Sequence, residues 1–147
     1  MPYPSEYQRA TDHFADFLSD VRDESGFTST HQAYTTAQGV LQVFRRRLGL
    51  ADAIRFAGVL PACVRALFVA DWDPAEPRRA FGDRRKMTEE VLALRSDHNF
   101  SNESSIRDVA VALRRHVDAA QFDALLATLP AGAVDFWSVI PARVTAH

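Results

Sequence analysis

Residues 39–68 read GVLQVFRRRLGLADAIRFAGVLPACVRALF, and residues 108–137 read DVAVALRRHVDAAQFDALLATLPAGAVDFW. The second stretch is a degenerate copy of the first at a constant offset of 69 positions, as from Val40 to Val109. In each copy an apolar segment leads to an arginine run, then to a Leu-Pro step, and ends in large apolar residues. This internal duplication predicts an architecture of two similar halves.

A second correspondence lies upstream of each copy at an offset of 73 positions. It pairs Phe14 with Met87, Leu18 with Val91, and Val21 with Leu94. The change of offset from 73 to 69 requires four extra residues in the first copy, about one helical turn. Within a single domain over 1–147, we expect repeat one at 5–72, a linker at 73–82, repeat two at 83–140 and a frayed tail at 141–147.

Apolar residues recur at steps of three and four along the chain, and no alternating pattern predicts a strand. The predicted helices cover 5–24, 29–48, 50–58, 61–72, 83–94, 102–115, a short segment after Asp118, and 130–137. Capping boxes at Ser5 and Ser29 are expected to begin the first two, and Tyr7 is placed on the buried face of the first. The buried face of the second is expected to consist of Ala33, Ala37, Val40, Leu41, Phe44 and Leu48.

These patterns predict an all-α fold, a compact helical bundle of two tandem repeats related by an approximate two-fold axis. Each repeat would cover an apolar face that the other cannot leave exposed. The alternative is a short solenoid in which the predicted helices follow one another in a row. Two repeats rarely suffice for a solenoid, so the compact form is preferred.

Composition limits the class of protein. Hydrophobic residues make up 47% and charged residues 24%, with a formal net charge of −2, as in ordinary globular domains. No apolar run is long enough to span a bilayer, the N-terminus has no signal-peptide pattern, and the single Cys63 fits a reducing compartment. We expect a cytoplasmic protein that does not enter a membrane.

The Leu60-Pro61 step runs into ALFVADWDP at 66–74, and the second Leu-Pro step at 129–130 ends in Phe136 and Trp137. These segments resemble the uncharacterised bacterial and archaeal family called domain of unknown function 2267, over about Tyr7 to Ile140. The resemblance implies a small all-helical protein of this two-part type. It implies no activity, cofactor or catalytic residue.

Arginines near two helix ends are the main candidates for a binding site. Arg45 and Arg46 end one helix and Arg114 and Arg115 end its copy, where positive side chains complement the helix dipole. If the copies pack together, the two clusters would instead join into one basic patch. Nucleic acid is not an expected ligand, because no aromatic residues are interleaved with the arginines to stack on bases.

Two further groups have simpler structural explanations. Cys63 lies in a first helical turn, but its counterpart in the other copy is Gly132, which indicates a tightly packed position. His13 and Asp16 are one turn apart and would supply two metal ligands, but no second half of such a site is evident. We therefore expect neither a metal nor a cofactor.

The sequence does not identify a function. The first hypothesis is a non-enzymatic interaction module or scaffold that binds a protein partner or a second copy, with Phe56 and Phe81 as surface anchors. The alternative is a small-molecule binding protein or enzyme with a pocket at the seam between the repeats. Trp72, Trp137 and the arginines would line that pocket and favour an anionic or apolar ligand.

Overall fold

The computed structural model describes residues 3–94 and 103–139, and within these ranges the regular structure is entirely helical. The helices are α1 (Ser5–Gln8), α2 (Ala10–Ser25), α3 (Thr30–Arg45), α4 (Leu50–Ala57), α5 (Ala62–Val69), α6 (Arg84–Ala93), α7 (Ser105–Arg114), α8 (Ala119–Leu126) and α9 (Ala133–Phe136). The all-α prediction is confirmed. The expected helix start at Asn102 and the tail at 141–147 lie outside the described residues.

The two predicted capping boxes have different outcomes. Ser29 Oγ accepts a hydrogen bond from the Gln32 amide at 3.2 Å, and Gln32 Oε1 accepts one from the Ser29 amide, which confirms the second box. The first is wrong, because Pro4 precedes α1 and Ser5 already lies inside that helix. Arg9 then leaves helical geometry, so the predicted single helix is divided into α1 and α2.

Helix α3 is the centre of the core and packs against α2, α5, α6 and α7. Its predicted inward face is confirmed, because Ala33, Ala37, Val40, Leu41 and Phe44 are all fully buried. The prediction that Tyr7 lies on a buried face is wrong, since 51% of its surface is exposed. In the described ranges no helix is long and apolar enough to span a membrane.

Aromatic residues from both predicted copies share one cluster. Phe44 lies 4.7 Å from Phe56 and 4.9 Å from Phe136 between ring centroids. Trp137 lies 5.8 Å from Phe56 and 6.0 Å from Phe122. Because Phe56 is fully buried, the prediction that it is a surface anchor is wrong.

Helix bounds agree with the duplication. Helices α4 and α8 begin at Leu50 and Ala119 and have equal lengths, while α3 and α7 end at Arg45 and Arg114. Both intervals equal the 69-position offset of the sequence. A two-fold relation between the copies, and the repeat boundaries themselves, stay predictions.

The segment at 73–82, expected to be a linker, contains no helix but is attached to the core near its C-terminal end. The Arg79 amide donates to the Arg46 carbonyl at 2.9 Å, and Arg47 Nε donates to the Ala80 carbonyl at 3.2 Å. Phe81 is half-buried and contacts Gly132, whose φ is 106°. The tight position predicted at Gly132 therefore faces this segment.

Candidate functional site

Arg45 is the last residue of α3, and its guanidinium holds the end of α5 in place. It is 5% exposed, and its Nη1 donates to the Phe68 carbonyl at 2.8 Å and the Ala70 carbonyl at 3.0 Å. Its Cζ lies 5.4 Å from the centre of the Trp72 ring. Burial lowers the pKa of Arg45, although nearby acidic groups oppose that shift. Arg45 therefore fixes the orientation of Trp72 against α3.

Arg46 and Arg47 tie the end of α3 to α6 through Glu90. Arg47 is 4% exposed and pairs with both carboxylate oxygens of Glu90, while Arg46 Nη1 lies 3.4 Å from Oε1. Burial alone would raise the pKa of Glu90, but the hydrogen bond from Arg47 and the charges of Arg47, Arg79 and Arg46 together lower it. These guanidinium groups are committed to internal contacts.

Arg114 repeats the contact of Arg45 in the second copy. Its Nε donates to the Trp137 carbonyl at 2.9 Å, and Arg45 and Phe68 are the residues 69 positions earlier. Its Nη1 also pairs with Asp123 at 3.0 Å. The arginines that end α3 and α7 therefore satisfy carbonyls at or just beyond the ends of α5 and α9, which the sequence did not reveal.

Arg115 lies apart from the other predicted site residues. Its guanidinium is half exposed and pairs with Asp20 at 3.5 Å and Glu24 at 3.0 Å, both on α2. Trp137 is fully buried and offers no surface to a ligand. Trp137 therefore belongs to the core, and it does not line the cavity that Trp72 lines.

A cleft of about 110 Å³ brings Arg45, Arg46 and Trp72 together where α3 ends and α4 begins. Asp71 adopts a φ of 55°, and the turn at this residue directs the chain from α5 into the cleft wall. We call this cavity the Trp72 cleft. Its lining residues are Arg45, Arg46, Leu48, Gly49, Leu50, Trp72, Asp73, Pro74, Glu76, Pro77 and Arg78.

The unbalanced charge of the Trp72 cleft is positive. Glu76 pairs with Arg46 at 3.4 Å, and Asp73 Oδ1 accepts a hydrogen bond from the Ala75 amide. Arg78 forms no ion pair or hydrogen bond within the described ranges, and its Nη1 lies 3.3 Å from the place where a Cβ on Gly49 would stand. Gly49 caps α4 without a side-chain acceptor, so the first-turn amides add partial positive charge.

Exposed apolar side chains continue from the cleft along α4. Leu50 and Ile54 are 55% and 62% exposed and stand one helical turn apart on the same face. Leu50 also lines the Trp72 cleft. We call these two residues the α4 stripe.

Residues 14–136 match the family described as "Uncharacterized conserved protein (DUF2267)". The chain belongs to this family. The resemblance carried by the two Leu-Pro segments and the Trp72 region is thereby confirmed, and it covers most of the chain. No curated protein matches the chain. The family assignment carries no activity, so the site of this DUF2267 chain must be interpreted from its geometry.

A second concave region of this DUF2267 protein lies on α2. Two adjoining cavities of about 340 Å³ and about 260 Å³ are both lined by His13, Pro61, His116 and Val117. We call them together the His116 groove. The sequence gives no signal for His116 as a site residue, because its partner Asp20 is 96 positions away and only the fold brings them together.

The structure also shows the surroundings of the candidate metal ligands and of Cys63. Within residues 3–94 and 103–139, no group of three or more histidine, cysteine or acidic residues is positioned to hold a metal ion. Cys63 is half-buried, and its Sγ donates to the Ala10 carbonyl at 3.7 Å. The thiol therefore contacts the first turn of α2, three residues before His13.

Proposed function

We propose that this protein is a non-enzymatic interaction module that docks an acidic, apolar segment of a protein partner. The α4 stripe and the Trp72 cleft form the docking surface. The observation that carries the proposal is the continuity of the two: Leu50 is 55% exposed and also lines a cleft whose unbalanced charge is positive.

The chemistry of the partner follows from that surface. Apolar side chains at helical or extended spacing would cover Leu50 and Ile54 and remove them from water. A carboxylate would pair with the guanidinium of Arg78 and accept hydrogen bonds from the open first turn of α4. Trp72 would supply a rigid aromatic wall at low cost in conformational entropy.

The internal arginines support this role by fixing the docking surface in advance. The Arg45 guanidinium lies over the Trp72 ring and fixes its position. Arg46 joins the cleft to α6 through its ion pair with Glu90. A surface that is already ordered loses little conformational entropy when a partner binds. Arg45 and Arg46 therefore act as positioning residues, and Arg78 is the cation that contacts the partner.

A second candidate function is the binding of a small molecule between elements of the two predicted repeats. The observation that favours it is the His116 groove, which joins the turn after α4 to the turn after α7. Its volume reaches the lower part of the usual range for ligand pockets.

A displayed library of random 16-residue peptides tests the docking proposal and does not require the partner to be identified first. Peptides selected on the intact protein should combine aspartate or glutamate with leucine, isoleucine or phenylalanine. Ile54→Asp and Arg78→Glu should each weaken their binding by about tenfold or more, because one removes apolar contact and the other reverses the attracting charge.

Ala124→Asp is the matched control, because Ala124 is an exposed position on α8 outside both cavities. It should leave peptide affinity unchanged. Selection of no binding peptide, or of peptides whose affinity is the same for all three variants and the parent, would reject the docking surface.

A further inference from the structure

The His116 groove is built from six parts of the chain that only the fold brings together. Helix α2 supplies His13, the turn after α4 supplies Val59 and Pro61, the turn after α7 supplies His116 and Val117, and α8 supplies Gln121, while α1 and α5 add the charged residues Glu6 and Arg65. The lining of the groove therefore combines apolar side chains with imidazole, amide and charged groups. Small-molecule sites likewise place convergent polar groups beside apolar side chains.

Asp20 leaves one nitrogen of His116 available. The Nε2 atom lies 2.7 Å from Asp20 Oδ2, and the ring edge meets Phe17 at 90° with 6.1 Å between centroids. A carboxylate on one ring nitrogen fixes the orientation of the imidazole. When the ring carries both protons, its Nδ1 atom is a charge-assisted donor to a bound anion.

Two other polar groups of the groove have no partner within the described ranges. The His13 ring and the Gln121 carboxamide form no hydrogen bond there, although both line the larger cavity. Their N–H groups would join Nδ1 of His116 as donors.

The fixed charges around these groups do not attract an anion by themselves. Arg65 pairs with Glu6 at 3.2 Å, and Arg115 pairs with Asp20 and with Glu24. Asp118 faces the groove from the turn after α7, where its Oδ1 accepts a hydrogen bond from the Gln121 amide at 3.0 Å. Because two arginines stand against four carboxylates, the positive charge that holds an anion must come from His13 and His116.

We propose that the His116 groove binds a small organic oxyanion, with a carboxylate or phosphate head between His13 and His116 and an apolar body against Val59, Pro61 and Val117. This site is separate from the docking surface on α4, which shares none of these residues. Either proposal can fail without the other.

Titration of the intact protein with benzoate and with phenyl phosphate tests the site, at about pH 6 where a free histidine side chain is mostly protonated. NMR signals of the histidine rings report binding, and His31 on α3 is the internal reference, because it is exposed and stacks near Tyr34. We expect saturable shifts of the His13 and His116 signals with His31 unchanged. The probe that binds more tightly identifies the head group as carboxylate or phosphate.

His116→Gln should weaken binding by about tenfold, since it removes a charged donor but keeps an amide of similar reach. His13→Gln is a second variant that removes the other imidazole, and His31→Gln is the matched control that should bind like the parent. Thermal unfolding of each variant separates loss of binding from loss of folding.

Several outcomes would overturn the site. These are an absence of saturable shifts with either anion, equal movement of the His13, His31 and His116 signals, and equal affinity for benzyl alcohol, which has the apolar body without the charge. Parent-like affinity in the folded His116→Gln and His13→Gln variants would also reject it.

Discussion

At the scale of single residues, Gly132 combines two constraints that no other amino acid meets. Its φ is 106°, and a Cβ there would stand 2.5 Å from the Cβ of Phe81. Gly132→Ala should therefore lower the free energy of unfolding by about 3 kcal/mol, from backbone strain and overpacking together. Urea denaturation measures this loss.

Gly82→Ala is the control for that substitution. Gly82 has an ordinary φ, and nothing lies within 4 Å of the place where its Cβ would stand. Its stability should change by less than about 0.5 kcal/mol. Equal effects at the two glycines would contradict the close contact between Phe81 and Gly132.

We expect the buried guanidinium of Arg45 to contribute to the free energy of unfolding. Arg45→Met leaves the Phe68 and Ala70 carbonyls without their donor, so we expect a loss of about 2 kcal/mol in the free energy of unfolding. Arg22→Met is the comparison, because that guanidinium is 36% exposed and, among the described residues, pairs only with its neighbour Asp23. It should change stability by less than about 0.5 kcal/mol. If Arg45→Met were equally harmless, the guanidinium would not be an internal tie.

At the scale of elements, the contact between α3 and α6 should depend on pH through Glu90. The pKa of Glu90 is lower in the folded chain than its ordinary value, so the ionised carboxylate stabilises the fold above the unfolded pKa. This contribution is lost as the pH falls through the folded pKa. Glu90→Gln should therefore cost about 2 kcal/mol at pH 7 and much less at about pH 3.

Denaturation of the parent and the variant at both pH values measures that difference. Glu89→Gln is the matched control, since Glu89 is the exposed neighbour on α6 and forms no ion pair within the described ranges. A cost at Glu90 that does not change with pH would show that packing, and not charge, is responsible.

Helix α4 separates a structural face from a docking face. Phe56→Ala should lower the free energy of unfolding by about 4 kcal/mol, because the ring is fully buried among Phe44, Phe68, Phe122 and Trp137. Ile54→Asp should leave stability within about 0.5 kcal/mol of the parent, because Ile54 is 62% exposed. Thermal unfolding of both variants checks this, and a large loss with Ile54→Asp would place that side chain in the core.

Elements were predicted from sequence where local chemistry determines them. The Ser29 capping box, the apolar face of α3 and the bounds of α4 depend on residues within a few positions of each other. The hydrogen-bond partners of the arginines could not be predicted from the sequence, because the acceptors of Arg45 are 23 and 25 positions away. The prediction that Phe56 is exposed failed for a related reason. The pattern of a helix as short as α4 does not indicate which of its faces the rest of the chain covers.

At the scale of the whole molecule, aromatic side chains of both predicted copies form one core, and the arginines that end α3 and α7 tie the ends of α5 and α9 to that core. Periodicity predicted this all-helical architecture, and the Leu-Pro segments predicted the family. Neither predicted the Trp72 cleft or the His116 groove, since each is lined by turns whose positions depend on long-range contacts.

The most direct test of the docking proposal is photo-crosslinking of the full chain in its own host cells. p-Benzoyl-phenylalanine replaces Ile54 in one sample and Ala124 in another, and mass spectrometry identifies the linked peptide. We predict a discrete product from position 54 only, linked to an acidic, apolar segment and lost when Arg78→Glu is added. Equal products from both positions, no product from position 54, or a product that survives Arg78→Glu would contradict the account.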